Sequence, residues 1–289
     1  MAVGSSASHE AAAVPSLRER LEAAAARVPF KVKLGIVYAV ITIIAAWLII
    51  VFRFDWPFMV QWLPFLLRGV PLTLFICAAG IALSVPLALL GALGRLSHNA
   101  VFYGISNFYV SFIRGTPLIV QIFFIYFGLP QIAFSPGAPP WLSRFLVFDV
   151  VVAGILALGI NYGAYMTEIF RAGIQSVGHG QIEAAHALGM GKGQTMRRIV
   201  LPQAIRVIIP PTGNDFIAML KDSALVGLAG TPELFFRATN LGRSQLHGFE
   251  AFAVAALIYW ALTIVFSFFQ KRLENRMGKG YVREHAGAH

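Results

Sequence analysis

An all-α, polytopic membrane protein of about six transmembrane helices is what the sequence predicts, on three observations. The 289 residues are 57% hydrophobic and only 12% charged, with a mean hydropathy of +0.71; a soluble domain is roughly 45–50% apolar. Apolar runs of about 20 residues recur, each long enough at about 1.5 Å rise per residue to cross a hydrocarbon core of roughly 30 Å. The basic residues behind the net charge of +10 are spread between those runs rather than gathered on one face. Lipid headgroups explain that spread, and nucleic acid does not.

Residues 1–33 read as a cytoplasmic tail whose charged part is too long for a signal peptide. A surface helix and a disordered leader are both open there, and no function is assigned. Residues 34–52 (ending in VYAVITIIAAWLIIVF) form the first span, and residues 54–67, with Trp56, Trp62, Pro57 and Pro64, a broken interfacial segment. In the second span, residues 70–93, Gly80 and Ser84 form a small-xxx-small face for close helix approach. The single cysteine, Cys77, lies in this run and excludes a disulfide framework or a thiolate metal site. Residues 109–130 (YVSFIRGTPLIVQIFFIYFGLP) read as a third, kinked span in which Gly115 and Pro117 break the helix beside Arg114. An arginine at mid-membrane costs at least about 2.5 kcal/mol, so Arg114 belongs at the edge or against protein.

A turn-rich loop with Pro136, Pro139 and Pro140 leads into the fourth span, residues 148–170. There Glu168 and Arg171 share a helical face and are expected to pair. The fifth span is interrupted by Pro210, Pro211, Gly213, Asn214, Asp215, Lys221 and Asp222. Broken, charged helices at membrane depth line wet cavities or are buried in protein. Asp215 and Asp222 project to one side, and a Lys221–Asp222 pair that stabilises packing is as open as solute contact. Thr231, Pro232 and Glu233 predict a helix start with Thr231 as cap. The last span, residues 250–269, ends in a basic tail.

Between the fourth and fifth spans lies GQIEAAHALGMGKGQTMRRIVLP, residues 180–202, polar and punctuated by glycine. It predicts a short helix from Glu183 to Leu188, a left-handed stop at Gly189, and a second short helix from about Gln194 that Pro202 ends. Helices this short are marginal alone and need a surface to lie against. Glu183, Ala184, Ala185, Gly189, Ile199, Leu201 and Pro202 resemble the EAA signature of ABC importer permeases. Residues 109–130, with RGTPL from Arg114 and then Gln121, resemble the polar amino-acid branch of that family. Asn214, Lys221, Asp222, Ser223 and Leu225 resemble a further stretch of it, from which Ala224 departs where serine is commoner.

The resemblance covers about residues 65–276. It implies a permease domain there, preceded by a tail (1–33) and an added helix with an external segment (34–64), and followed by a cytoplasmic tail (277–289). It also implies the transmembrane subunit of an importer that moves a polar amino acid across the inner membrane by alternating access. The implied partners are a dimer of ATPases docked on the loop through the EAA residues, a second identical or paralogous permease and an external solute-binding protein. Arg114, Gln121, Glu168, Arg171, Asn214, Asp215, Lys221 and Asp222 are candidates for the solute pathway or its scaffold.

Orientation is readable without the family. With the N-terminus inside, the inner segments hold Arg18, Arg20, Arg27, Lys31, Lys33, Arg95, Arg171, Lys192, Arg197, Arg198, Lys271, Arg272, Arg276, Lys279 and Arg283, and the outer ones Arg53, Arg68, Arg144, Arg237 and Arg243. That bias places both termini and the EAA loop in the cytoplasm. No phosphate-binding GxxxxGK[ST] occurs, so ATP and magnesium belong to the partner and no cofactor is expected on this chain. The histidines are scattered without HExxH, and no catalytic or metal residues are assigned, although His179 and His186 flank Glu183. A secondary transporter is the alternative reading; it would have no use for the loop.

Overall fold

The structure, a computed structural model, describes Ser16 and residues 29–277. Most of the N-terminal tail and all of residues 278–289 lie outside the described residues. The chain divides into two compact units, Met1–Asp55 and Trp56–His289. In the first, helix α1 (Phe30–Phe52) has 23 residues, all exposed. At about 34 Å it is long enough to cross a bilayer. It starts earlier than the sequence predicts and takes in Lys31 and Lys33, and it stops at Arg53, whose φ of 45° is left-handed.

In the second unit, α2 (Trp56–Leu67) is one unbroken helix, contrary to expectation. Pro57 falls in its first turn, where a missing N–H matters least, and Pro64 is carried inside, with Phe58, Met59 and Leu66 buried. The centre of the unit is α3 (Val70–Arg95) packed along a helix that we label below as α7 (Val150–Gln175). Small residues make that approach possible. Ser84 donates to the carbonyls of Gly80 at 2.8 Å and Gly159 at 3.1 Å. A Cβ on Gly91 would stand 2.2 Å from Thr167 Oγ1, which is itself held on the Gly163 carbonyl at 2.8 Å. Thr167 therefore cannot yield, and Gly91→Val is expected to lower the melting temperature of the detergent-solubilised protein by about 4–8 °C, taking overpacking at about 2 kcal/mol. A melt unchanged from wild type would contradict this packing.

The expected third span is two helices. Asn99 caps α4 (Ala100–Gly115) by accepting from Val101 N at 2.9 Å. Thr116 and Pro117 are extended, and α5 (Leu118–Phe123), a π-helical turn (Phe124–Gly128) and α6 (Leu129–Ala133) leave at 106° to α4. Proline holds its predecessor out of the helical region, so the chain must turn there. After short turns at Pro140–Leu142 and Ser143–Leu146, Asp149 caps α7 (Val150–Gln175) through Val151 N at 2.8 Å.

Next come α8 (His179–Ala187), α9 (Lys192–Thr195) and a second π-turn (Met196–Val200), which runs straight into α10 (Leu201–Asp222). Pro202 therefore does not end the second short helix. It sits in the first turn of α10, where the wide π-turn relieves the clash of its ring with the preceding carbonyls. Nor is the fifth span broken at Pro210 and Pro211: α10 continues through both and breaks only at Ser223, before α11 (Ala224–Leu228). Neighbouring helices support it. Gln270 donates to the Pro210 carbonyl at 2.6 Å and fills the place where a Cβ on Gly213 would stand.

Glu233, not Thr231, caps α12 (Leu234–Gln245), accepting from Phe236 N at 2.8 Å, and Pro232 lies before the helix. The other carboxylate oxygen accepts from Tyr259 at 2.8 Å and Thr73 at 3.2 Å, tying α12 to α3 and to α13 (Gly248–Met277). Thr231 is fully buried with its hydroxyl unpartnered. Among the described residues α1, α3, α7 and α13 are long and apolar enough to cross a membrane, and α4–α6 adds a fifth if the bent pair is one span. The expected six counts α10, which is long enough but not apolar enough to qualify on composition.

Candidate functional site

Two features gather the predicted residues. The first is the polar loop. Its leading helix begins at His179, so Glu183 lies past the first turn rather than in it. The helix stops in a left-handed cap: Gly189 has φ +78°, its N–H donates to the His186 carbonyl at 2.9 Å, and Met190 N donates to the Ala185 carbonyl at 3.0 Å. Ala185 and Val200 are buried, whereas Glu183, Ala184, Gly189 and Pro202 are exposed and Ile199 and Leu201 half-buried. Leu188 is 83% exposed at the tip, an apolar side chain offered to the surroundings. Gln203, at the start of α10, donates to Gln181 and braces the elbow.

The second feature is a cleft of about 570 Å³ at the break between α4 and α5. Arg114, Asp215 and Asp222 line it with Asn161, Tyr162 and Tyr165. The Arg114 guanidinium lies over the Tyr165 ring, 5.0 Å from its centroid. Tyr162 donates to Asp222 Oδ2 at 2.8 Å, while Asp215 Oδ2 is buried without a donor. Gln121 stands behind the wall and closes the break: its amide reaches the Ile113 carbonyl at 2.8 Å and the Thr116 hydroxyl at 2.8 Å, and its carbonyl accepts from Asn161 at 3.1 Å. Asn161, Tyr162 and Tyr165 were not singled out from sequence; their signal is polar residues about one helical turn apart on a single face of α7.

The remaining candidates lie elsewhere. Glu168 and Arg171 pair at 2.8 Å as expected, and Glu168 also meets Arg95 at 3.2 Å. Arg95 in turn donates to Asn107, so the network joins α3, α4 and α7 away from the cleft. Asn214 is exposed. Lys221 lines a different cleft, with Phe235, Phe252 and Trp260, and does not pair with Asp222. Consecutive helical residues do not face each other, and Tyr162 is the better-placed partner.

A family model described as the binding-protein-dependent transport system inner membrane component matches residues 80–279. The chain is 40% identical to the probable amino-acid permease protein YxeN of Bacillus subtilis, over 78% of its own length and 97% of that protein. To the glutamine transport system permease protein GlnP of Escherichia coli it is 34% identical, covering 78% and 98%. A solved structure of an amino acid ABC transporter with histidines superposes with a TM-score of 0.69 at 36% identity, covering 77% of this chain and 99% of that one.

Proposed function

The chain belongs to the family of binding-protein-dependent transport system inner membrane components, the permease subunits of ABC importers, and we propose that it imports a polar amino acid by alternating access. The single observation that carries the coupling half of this reading is the loop. A short helix with Leu188 and Glu183 exposed, held at a fixed angle by the Gly189 cap and the Gln181–Gln203 brace, suits a protein surface that pushes it. That surface belongs to an ATPase dimer in the cytoplasm. The amino-acid names of its relatives YxeN and GlnP support the solute class.

In this reading residues 65–276 form the permease domain, paired with a second permease and fed by an external binding protein. The helix within residues 34–64 is an addition to a five-span core. Closure of the ATPases moves α8, and the α3–α4–α7 network around Glu168 carries that movement to the helices that flank the cleft.

Cys77 is the only cysteine and is buried, so a thiol introduced at Glu183→Cys gives a clean reporter. A membrane-impermeant maleimide is expected to label it in inside-out vesicles and not in intact cells. Uptake by proteoliposomes carrying the permease, ATPase and binding protein is expected to require ATP on that same side. Labelling from outside, or uptake without ATP, overturns the reading.

A further inference from the structure

We propose that the groove between α10 and α13 is a site for one anionic phospholipid of the cytoplasmic leaflet: an acyl chain lies in the groove, and Arg206 and Arg276 clasp the phosphate at its mouth. This rests on the orientation in the importer reading and adds a lipid wedged against the helix that leads out of the elbow. None of these residues lines the cleft at the α4–α5 break.

Two features converge there. The groove has a volume of about 380 Å³ and is walled by Phe216 and Ile217 of α10 and by Phe266, Phe269 and Leu273 of α13. Phe269 is 58% exposed, so the groove is open to what surrounds the chain. Its one polar wall residue, Gln270, already donates to the Pro210 carbonyl at 2.6 Å and to Glu274 at 3.1 Å. The walls therefore take hydrocarbon. The second feature is charge. The two helices run in opposite directions, with Phe216 beside Phe266 at 5.1 Å between ring centroids and Gly213 against Gln270. Arg206 stands seven residues before Gly213 and Arg276 seven after Phe269, so each shares a helical face with a residue of the groove. At about 1.5 Å per residue both lie about 10 Å from the Gly213–Gln270 contact, toward the same end. That end is where α10 leaves the elbow and α13 stops. Both arginines are exposed, and among the described residues neither makes an ion pair. The acid of that turn, Glu274, is half-buried and turned to Gln270.

An occupant that completes both features has an apolar tail, an anionic head and a place at a bilayer surface. An anionic phospholipid has all three. Its phosphate takes the planar donors of two arginines, and basic pockets between membrane helices on the cytoplasmic side attract such head groups. A soluble anion would leave the groove empty, and an apolar helix from another protein would leave both arginines unanswered. A zwitterionic lipid fills the groove but brings its own cation toward Arg206 and Arg276.

The test uses the full-length permease with its ATPase in phosphatidylcholine nanodiscs that carry a trace of a lipid with a photoreactive acyl chain, headed either by phosphatidylglycerol or by phosphatidylcholine. The phosphatidylglycerol probe is expected to label the peptides bearing Phe216 and Ile217, and Phe269 and Leu273, about tenfold more than it labels α1. Helix α1, exposed at every residue, is the standard for bulk lipid. The phosphatidylcholine probe is expected to label groove and α1 alike, a comparison that needs no variant to fold. Arg206→Gln with Arg276→Gln is expected to abolish the excess. Lys33→Gln with Lys271→Gln removes the same charge from residues that do not line the groove, and is expected to keep it. Even labelling of the groove and α1 by the phosphatidylglycerol probe overturns the assignment, and so does an excess displaced by inorganic phosphate at the concentration of the probe. Exclusion of both probes overturns it in favour of a protein neighbour. An excess that persists in the double arginine variant while the ATPase dissociates gives those arginines to a protein surface, and the assignment falls. Labelling of Glu183→Cys from outside the cell fails the importer reading instead, because the photoreactive probes report the occupant and not the leaflet.

Discussion

Replacing Gly189 by valine is expected to leave the permease inserted and folded yet to reduce solute-stimulated ATP hydrolysis by the assembled importer more than tenfold. The cause is backbone, not collision, because a Cβ on Gly189 would meet nothing within 4 Å. Its φ of +78° is open to glycine but costs an L-residue about 1–2 kcal/mol, and a β-branched one more. Relaxing that strain breaks the two bonds that end α8, from Gly189 N to His186 and from Met190 N to Ala185. Leu188 and Glu183 then lose their fixed direction, although nothing in the membrane-embedded packing has changed. Gly191 supplies the control: it is equally exposed and equally free of neighbours, but its φ is −70°, so Gly191→Val is expected to hydrolyse ATP normally. Co-purification with the ATPase and the melting temperature of the permease separate lost docking from lost folding. Full coupling in Gly189→Val removes the loop from the mechanism.

The left-handed stop at Gly189 was legible because it depends on neighbours in sequence, as was the break beside Arg114, where glycine and proline act locally. The misreadings have a common origin in contacts between distant residues. Pro210 and Pro211 look like a broken helix until Gln270, remote in sequence, is seen bonded to Pro210. Lys221 and Asp222 look like a pair until Tyr162 takes the aspartate from another helix. Thr231 has the composition of a cap, yet the position that caps α12 is decided by where Thr73 and Tyr259 can meet a carboxylate, and that selects Glu233. The cleft shows the same division. Arg114, Asp215 and Asp222 stood out as charges within apolar runs, whereas Asn161, Tyr162 and Tyr165 became site residues only once α7 was set against the break.

Glu233→Ala is expected to be the most destabilising single change outside the spans. Truncation leaves Phe236 N and the Tyr259 hydroxyl without their acceptor in a place closed to water, while the Thr73 hydroxyl falls back on the Gly69 carbonyl at 3.2 Å. Thr73 also accepts from Leu234 N at 3.2 Å, so the start of α12 loosens with it. At about 1 kcal/mol for each orphaned donor the loss is about 2 kcal/mol, or about 4–8 °C in melting temperature for a domain of this size. Water cannot easily enter to repair it, because Gly69 and Gly227 bring backbone and α11 hard against the same point. Burial pushes the Glu233 carboxyl above the usual carboxylate range, against the donors that favour its charged form. The folded protein therefore holds this proton at pH values where the unfolded chain has released it. Stability from this group is full below the ordinary carboxylate range and falls as pH rises toward the raised value. Glu233→Gln keeps the shape, lets the two hydroxyls rotate to its amide, and cannot titrate. It is expected to melt within a few degrees of wild type and to flatten that decline, whereas Glu233→Ala melts low at every pH. Melting curves of the three proteins across the acid range decide the matter: if alanine and glutamine behave alike, the carboxylate is not what holds α12 to α3 and α13.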